Sequence, residues 1–474
     1  MEAFYVYLFM VGAVAAAVFE YGNRLVKVTA APDLAFRGFK TNYLVVYSFM
    51  MAGDWLQGPY VYALYEHYGF TRGEIGRLFI AGFGSSMIFG TVMGSLADKY
   101  GRKRAALLYV VCYTLGCFTK HAPNFWVLFF GRILCGIATS LLYSAFESWV
   151  VGEHNKRGYN PEWLGGIFSQ AVFLGNGLVA ILAGLFSHSL VDTFRLGPVS
   201  PFDAAAIVLV IGGVIIALTW TENYGDSSES ASLAESFGKA YTLIMSDPKF
   251  ALLGAMQSLF EGSMYTFVFL WTPALSPNGE HLPHGMIFAC FMVSSMVGSA
   301  LAGKLMSLTT IKVERYMQVV FAFAALCLTI PVVVPPAKAS NSDSLSLAGK
   351  LHLLAFCGFE VCVGIFWPSM MTMRRWERGA HIPEEIRSTV INCFRIPLNF
   401  FVCVILYNVG SYSLSTMFGM CASFLGICFA CQRQFAVLIH QEQAGSHFDE
   451  DQRLVAAAKL EKGSLAAEAE ADAV

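Results

Sequence analysis

The sequence predicts an all-α polytopic membrane protein: two bundles of six transmembrane helices (6+6), preceded by one extra N-terminal transmembrane helix. Three observations carry this. Of 474 residues, 56% are hydrophobic and only 14% are charged, where a soluble domain has about a quarter charged; mean hydropathy is +0.56. Apolar runs long enough to cross a bilayer recur along the whole chain. Lysine and arginine gather on alternate connections between them. The net charge of −2 gives no basic surface for nucleic acid, so the partner that composition implies is the lipid bilayer.

An apolar run at 4–19 opens the chain. Its small residues, Ala13, Ala15, Ala16 and Ala17, would suit a signal peptide. However, Glu2 precedes the run, no cation does, and Arg24, Lys27, Arg37 and Lys40 follow it. That charge order predicts an uncleaved helix with its N-terminus outside. Twelve further spans are expected at 44–66, 75–97, 105–119, 125–150, 164–187, 203–220, 250–274, 285–305, 316–336, 349–372, 388–410 and 413–438. Residues 1–43 are then the extra helix and a cytoplasmic linker, 44–220 the first bundle and 250–438 the second. The stretch 221–249 is polar, with Ser227, Ser228, Ser230 and Ser232 among acids, and reads as the inter-bundle loop. The tail 439–474, rich in alanine and glutamate, reads as cytoplasmic and disordered.

Placing the connection between spans 2 and 3 in the cytoplasm puts nineteen Lys and Arg in cytoplasmic loops against six outside (Arg72, Arg77, Lys120, Arg195, Lys338 and Lys350). Shifting every loop by one span inverts the bias. The twelve cysteines lie in apolar segments and suggest no disulfide framework. Cys428 and Cys431 have no second pair with which to hold a metal. Gly298–Leu305 imitates a phosphate-binding loop, but it ends in Leu305 and follows no strand.

The connection at 94–104 reads G-S-L-A-D-K-Y-G-R-K-R. Gly94 permits close helix approach in lipid. Asp98 falls where the apolar run ends, Gly101 allows a tight reversal, and Arg102 and Arg104 belong to its basic cluster. Topology alone would need the cations but not the glycine–aspartate spacing. The stretch resembles the signature loop of the major facilitator superfamily, which joins helices 2 and 3 on the cytoplasmic side, and so implies the major facilitator fold. By the same resemblance, Arg102 with Glu147 or Glu153 is the expected cytoplasmic latch, made when the transporter is closed on that side and broken on opening. Arg132 matches a span-4 arginine associated with proton coupling, and spans 1, 4, 7 and 10 line the central path.

Asp54, Glu261, Glu360 and Arg395 fall near the middle of their spans, where a charge costs about 2.5–3.5 kcal/mol. Such groups are expected to face a wet cavity or one another. Arg395 stands in N-C-F-R-I-P-L-N, with Pro397 freeing a carbonyl and Asn399 one turn on. Its planar fork suits an oxyanion; a structural ion pair with Glu261 or Glu360 is the alternative. Asp54 and Gln57 share a helix face, and Gly58-Pro59 interrupts the helix just before Tyr60, either at a transport site or as a packing kink. Gln257 precedes Glu261 by one turn, with Tyr265 one turn beyond. Asn176 in span 5 suits an interhelical hydrogen bond. The halves echo each other faintly, Arg132-x-x-x-Gly136 against Glu360-x-x-x-Gly364.

Longer stretches narrow the family. A-G-D-W-L-Q-G-P-Y-V-Y-A-L-Y (52–65), S-A-F-E-S-W (144–149), L-F-E-G-S-M-Y-T-F-V-F-L-W-T-P (259–273), F-W-P-S-M (366–370) and F-R-I-P-L (394–398) resemble the eukaryotic molybdate-anion transporters, also called major facilitator superfamily domain-containing protein 5. The likeness runs to about residue 440 and includes the extra first helix. It implies secondary active import of molybdate by alternating access, with no enzymatic activity, cofactor or metal. A tetrahedral dianion wants several donors, and Arg395, Asn399, Tyr60 and Tyr265 could give some. Three buried carboxylates against one arginine would repel it unless protons neutralise them, which predicts proton-coupled symport. A monomer in the plasma membrane, with a cytoplasmic C-terminus, is expected. The alternatives are transport of another solute, such as a sugar or organic anion, and a non-transporting scaffold or sensor with the same fold.

Overall fold

Within a bilayer the backbone must satisfy its own hydrogen bonds, and in the computed structural model nearly all of the described chain is helix. The structure describes residues 3–24, 34–225, 233–276, 282–308, 312–335, 345–376 and 384–441, without the side chains of 21–24, 91, 162, 233–237, 240, 243, 374–376, 384–393, 395 and 396. Lys27, Lys338, the serines at 227–232 and the tail beyond 441 lie outside the described residues, as does the side chain of Arg395.

The helices are α1 (Ala3–Arg24), α2 (Leu34–Trp55), α3 (Val61–His67), α4 (Arg72–Tyr100), α5 (Arg102–Phe118), α6 (Phe125–Leu142), α7 (Ala145–Lys156), α8 (Glu162–Ala171), α9 (Ala180–His188) and α10 (Ser200–Thr219). After them come α11 (Leu233–Ser246), α12 (Pro248–Leu275), α13 (His284–Ser307), α14 (Val313–Val333), α15 (Leu347–Trp376), α16 (Glu384–Tyr407) and α17 (Leu414–Gln441). Among the described residues, α1, the rods α6–α7 and α8–α9, α10, α13, α14, α15 and α17 are long and apolar enough to cross a membrane.

Three places differ from the sequence expectation. Helix α2 starts at Leu34, ahead of the span expected from residue 44, because Phe36 and Phe39 anchor its first turns. Phe36 lies 4.7 Å from the Trp163 ring and Phe39 lies 5.5 Å from Tyr159. Span 5 contains two π-helical segments, Val172–Val179 and Ser189–Thr193. The stretch read as an inter-bundle loop carries α11, which packs against α12 and α16. The interruption at Gly58-Pro59 is present as a 3-10 turn, Gly58–Tyr60, between α2 and α3.

Small residues set the helix crossings. A methyl at Gly136 would strike Ser85 and the Gly82 carbonyl, so α6 lies directly on α4. In the second half, Gly364 meets Ser295 and Gly298 meets Val361, so α15 lies directly on α13. The phosphate-loop lookalike at Gly298 is therefore a packing surface.

The halves touch closely at the end away from the 94–104 loop. Gly76, near the start of α4, faces Leu406 and Val409 at the end of α16, and Gly184 on α9 faces Gly285 at the start of α13. Helix α1 runs parallel to α13. Gly12 lies against Val293, and the Lys304 amine sits 5.7 Å from the Phe19 ring. The C-terminal end of α1 is thus on the same side as the basic loop.

Candidate functional site

A cavity of about 210 Å³ lies where α4, α5 and α6 of the first half meet α12 and α16 of the second. Among the described residues, Arg132 supplies its positive charge. Gly82 makes room for that side chain: a methyl there would lie 2.6 Å from the Arg132 Nη2. The guanidinium sits 4.9 Å from the Phe79 ring, and its Nε donates to the Leu78 carbonyl at 3.4 Å. Around it the wall carries the hydroxyls of Tyr113, Tyr143 and Thr139, with Tyr265 and Asn399 from the second half. One planar cation with several neutral donors can hold a small oxyanion through charge and directed hydrogen bonds. Toward the closed end, Phe269 packs edge-on against both Phe79 and Tyr62 at 5.2 Å, so aromatic rings from both halves roof the site.

The structure separates the residues singled out from sequence. Arg132, Tyr265 and Asn399 line the cavity. Asp54 accepts a hydrogen bond from the Tyr113 hydroxyl and lies within electrostatic reach of Arg132. Gln57 is buried and donates to the Gly53 carbonyl at 3.0 Å. Tyr60 is buried at the closed end, donating to Asp192 Oδ2 at 2.6 Å. Glu261 is buried and accepts from Gln257 Nε2 at 2.8 Å. Glu360 is buried on α15, and among the described residues it makes no hydrogen bond or ion pair. Asn176 is exposed within the first π segment.

Residues 4–356 match the model of a family described as sugar transporters, 12 TM. The molybdate-anion transporter of Xenopus laevis is 33% identical over 439 residues, covering 90% of this chain and 93% of that protein. That of Xenopus tropicalis is 32% identical with the same coverage. The chain belongs to the molybdate-anion transporter family. Its fold is also that of an auto-inhibited POT-family peptide transporter, at TM-score 0.65 and 10% identity, over 84% of this chain and 96% of that one.

In this member of the molybdate-anion transporter family, the signature loop is held differently from the expected latch. Gly101 has φ +113, in the region that favours glycine. Arg102 pairs with Asp98 at 2.7 Å, one turn back, and Glu153 is taken by Arg157 at 2.9 Å. Glu147 is exposed on α7, within electrostatic reach of Tyr43 and Tyr47. The acid that serves the loop is Glu222. Its carboxylate accepts from the backbone N–H of Lys103 at 2.8 Å and of Arg104 at 3.3 Å, at the positive end of α5. Gly94 faces Ser144 at the α6–α7 junction. Arg102 and Glu153 each found a nearer partner one helical turn away, which costs less side-chain entropy than a pairing between helices.

Sequence reasoning missed Tyr113, Tyr143, Thr139, Glu222 and the pair His188–Asp192. Tyr109 and Tyr113, one turn apart in an otherwise apolar helix, were the available signal for the first. His188 and Asp192 at i,i+4 spacing were the signal for the last.

Proposed function

We propose that this chain imports molybdate by alternating access, with the Arg132 cavity as the oxyanion site. The relatives' names supply the substrate. The observation that carries the reading to residues is a guanidinium, the one lining the cavity among the described residues, ringed by hydroxyl and amide groups contributed by both halves. A tetrahedral dianion can take charge from Arg132 and hydrogen bonds from Tyr113, Tyr143 and Asn399 while the halves close around it.

The moving bodies are residues 44–220 and 250–438, joined by 221–249. The basic loop faces the cytoplasm, as the excess of cations requires. The N-terminus of α1 is then outside, the C-terminal tail 439–474 is cytoplasmic, and the working unit is a monomer in the plasma membrane. Protons accompany the anion, since Asp54 would otherwise cancel the charge of Arg132.

The test is uptake by cells that lack molybdate import, supplied with nanomolar molybdate. Molybdenum should accumulate, faster at acid external pH, and excess sulfate should compete poorly. A rate indifferent to the proton gradient would remove the symport reading. The family description favours a second reading, a sugar, and Phe83 and Tyr265, 5.1 Å apart across the halves, would suit a sugar ring. Inhibition of uptake by sugars but not by tungstate would favour it. No accumulation of either solute would favour a scaffold or sensor.

A further inference from the structure

We propose that Tyr113 is the switch that couples anion entry to protonation of Asp54, its one hydroxyl proton serving Asp54 in the empty protein and the oxyanion in the loaded one. The inference rests on the oxyanion reading of the cavity.

Tyr113 lines the cavity, and its hydroxyl donates to Asp54 Oδ1. Asp54 is not itself among the residues lining the cavity, so Tyr113 is the group that touches both. A phenol has a single proton to donate, so a bound anion that accepts it takes it from Asp54. Among the described residues, the Asp54 carboxylate accepts no other hydrogen bond. The groups facing it are Tyr113 and Tyr109 from α5, Arg132 from α6 and Tyr47 from its own helix. Helix α10 contributes the apolar Leu209, packed on Gly53. Tyr109 is committed elsewhere, donating to the Met50 carbonyl at 3.0 Å. Arg132 is the one cation among these groups, and an entering dianion competes for it too.

The charge balance fixes the direction. Empty, Arg132 and ionised Asp54 sum to zero. A dianion placed there leaves an ionised carboxylate with no donor beside two further negative charges. One proton from solvent, ending on the Asp54 carboxyl, lowers the negative charge of the loaded site and leaves Arg132 unopposed by the protein's own carboxylate. Tyr113 keeps its own proton throughout and only redirects it. When the anion leaves, Tyr113 turns back to Asp54 and the extra proton is released. Binding and protonation are thereby reciprocal, as linkage requires.

The experiment uses the full-length chain, purified in weakly buffered detergent with a pH indicator, and titrates sodium molybdate. The native protein should take up about one proton per molybdate bound. Tyr113→Phe should bind molybdate more weakly but without proton uptake, because Asp54 then lacks a donor in both states. Its uptake in vesicles should lose its dependence on external pH. Asp54→Asn keeps an acceptor for Tyr113 and should also bind without a proton; it carries the test alone if the phenylalanine variant does not fold. Native binding without proton uptake, or unchanged proton uptake in either variant, overturns the switch. Failure of the native protein to bind molybdate overturns the underlying oxyanion reading instead.

Discussion

The Tyr60 hydroxyl donates to Asp192 Oδ2 at 2.6 Å, and the Tyr60 oxygen accepts the backbone N–H of Gly285 at 3.4 Å. The first contact stays within one half; the second crosses to the other. His188 Nδ1 lies 2.8 Å from the same Asp192 Oδ2. A residue read from sequence as a substrate ligand therefore stands in the closure between the halves, where Gly184 and Gly285 bring two backbones together.

Tyr60→Phe removes the donor to Asp192 and the acceptor of the Gly285 N–H. Only the Gly285 contact crosses the halves; a neutral hydrogen bond contributes about 1 kcal/mol, so the state open at this end should gain about fivefold in population. Hydrogen exchange of the peptides around residues 184–193 and 282–290 reads this directly. Both should exchange faster in the variant. Unchanged protection would mean that the glycine contact alone closes this end.

Gly82 and Arg132 predict a separation of binding from folding. Gly82→Ala places a methyl 2.6 Å from the guanidinium, inside contact distance, and must displace it from its perch over Phe79. Uptake KM should rise about tenfold, the loss of one charge-assisted hydrogen bond. Gly84→Ala, where the added methyl meets nothing within 4 Å, should behave as native. Arg132→Lys keeps the charge and loses the fork, so its KM should rise as well. Equal behaviour of Gly82→Ala and Gly84→Ala would sever the arginine from the anion site.

The spans were legible because a bilayer imposes length and apolarity on each helix independently of its neighbours. One site feature was legible as a pattern without its reason. Arg132-x-x-x-Gly136 and Glu360-x-x-x-Gly364 repeat because each glycine seats its helix on the neighbour, α6 on α4 and α15 on α13, and an ionisable group follows one turn earlier. The cavity wall was not legible. Tyr113, Tyr143 and Thr139 are ordinary residues of membrane helices, and only the packing of α5 against α6 turns them toward one point. Arg102 pairs with Asp98, a turn away, in this state closed at the end away from the 94–104 loop, whereas the expected latch belongs to the state closed on the cytoplasmic side.

Glu222 predicts a stability effect outside the cavity. Its carboxylate caps two backbone N–H groups at the start of α5, and a methyl at Gly101 would lie 2.6 Å from it. Glu222→Gln can still accept from one N–H but loses the charge that the helix terminus favours. The cost should be about 1 kcal/mol, seen as a lowered thermal midpoint of the purified protein. Gly101→Ala should cost more, since it adds backbone strain at φ +113 to the same clash. If the two variants melted together with the native protein, the loop would owe its shape to the Arg102–Asp98 pair alone.

The first helix tests whether an added span can act without touching the site. The cavity is built from α4, α5, α6, α12 and α16, whereas α1 packs on α13. Gly12 rests on Val293, Cys290 Sγ donates to the Tyr5 carbonyl at 3.7 Å, and the Lys350 amine lies 5.5 Å from the Phe4 ring. Helix α13 in turn carries Gly285 into the closed end and Gly298 against α15. Supporting α13 therefore supports both the closure and the second half. Gly12→Leu forces a side chain into Val293, an overpacking worth about 1–3 kcal/mol, and should lift α1 away. Thermal stability and maximal uptake should fall together while KM stays within about twofold, since no wall of the cavity moves. A KM that rose with the loss of stability would instead make α1 part of the transport path.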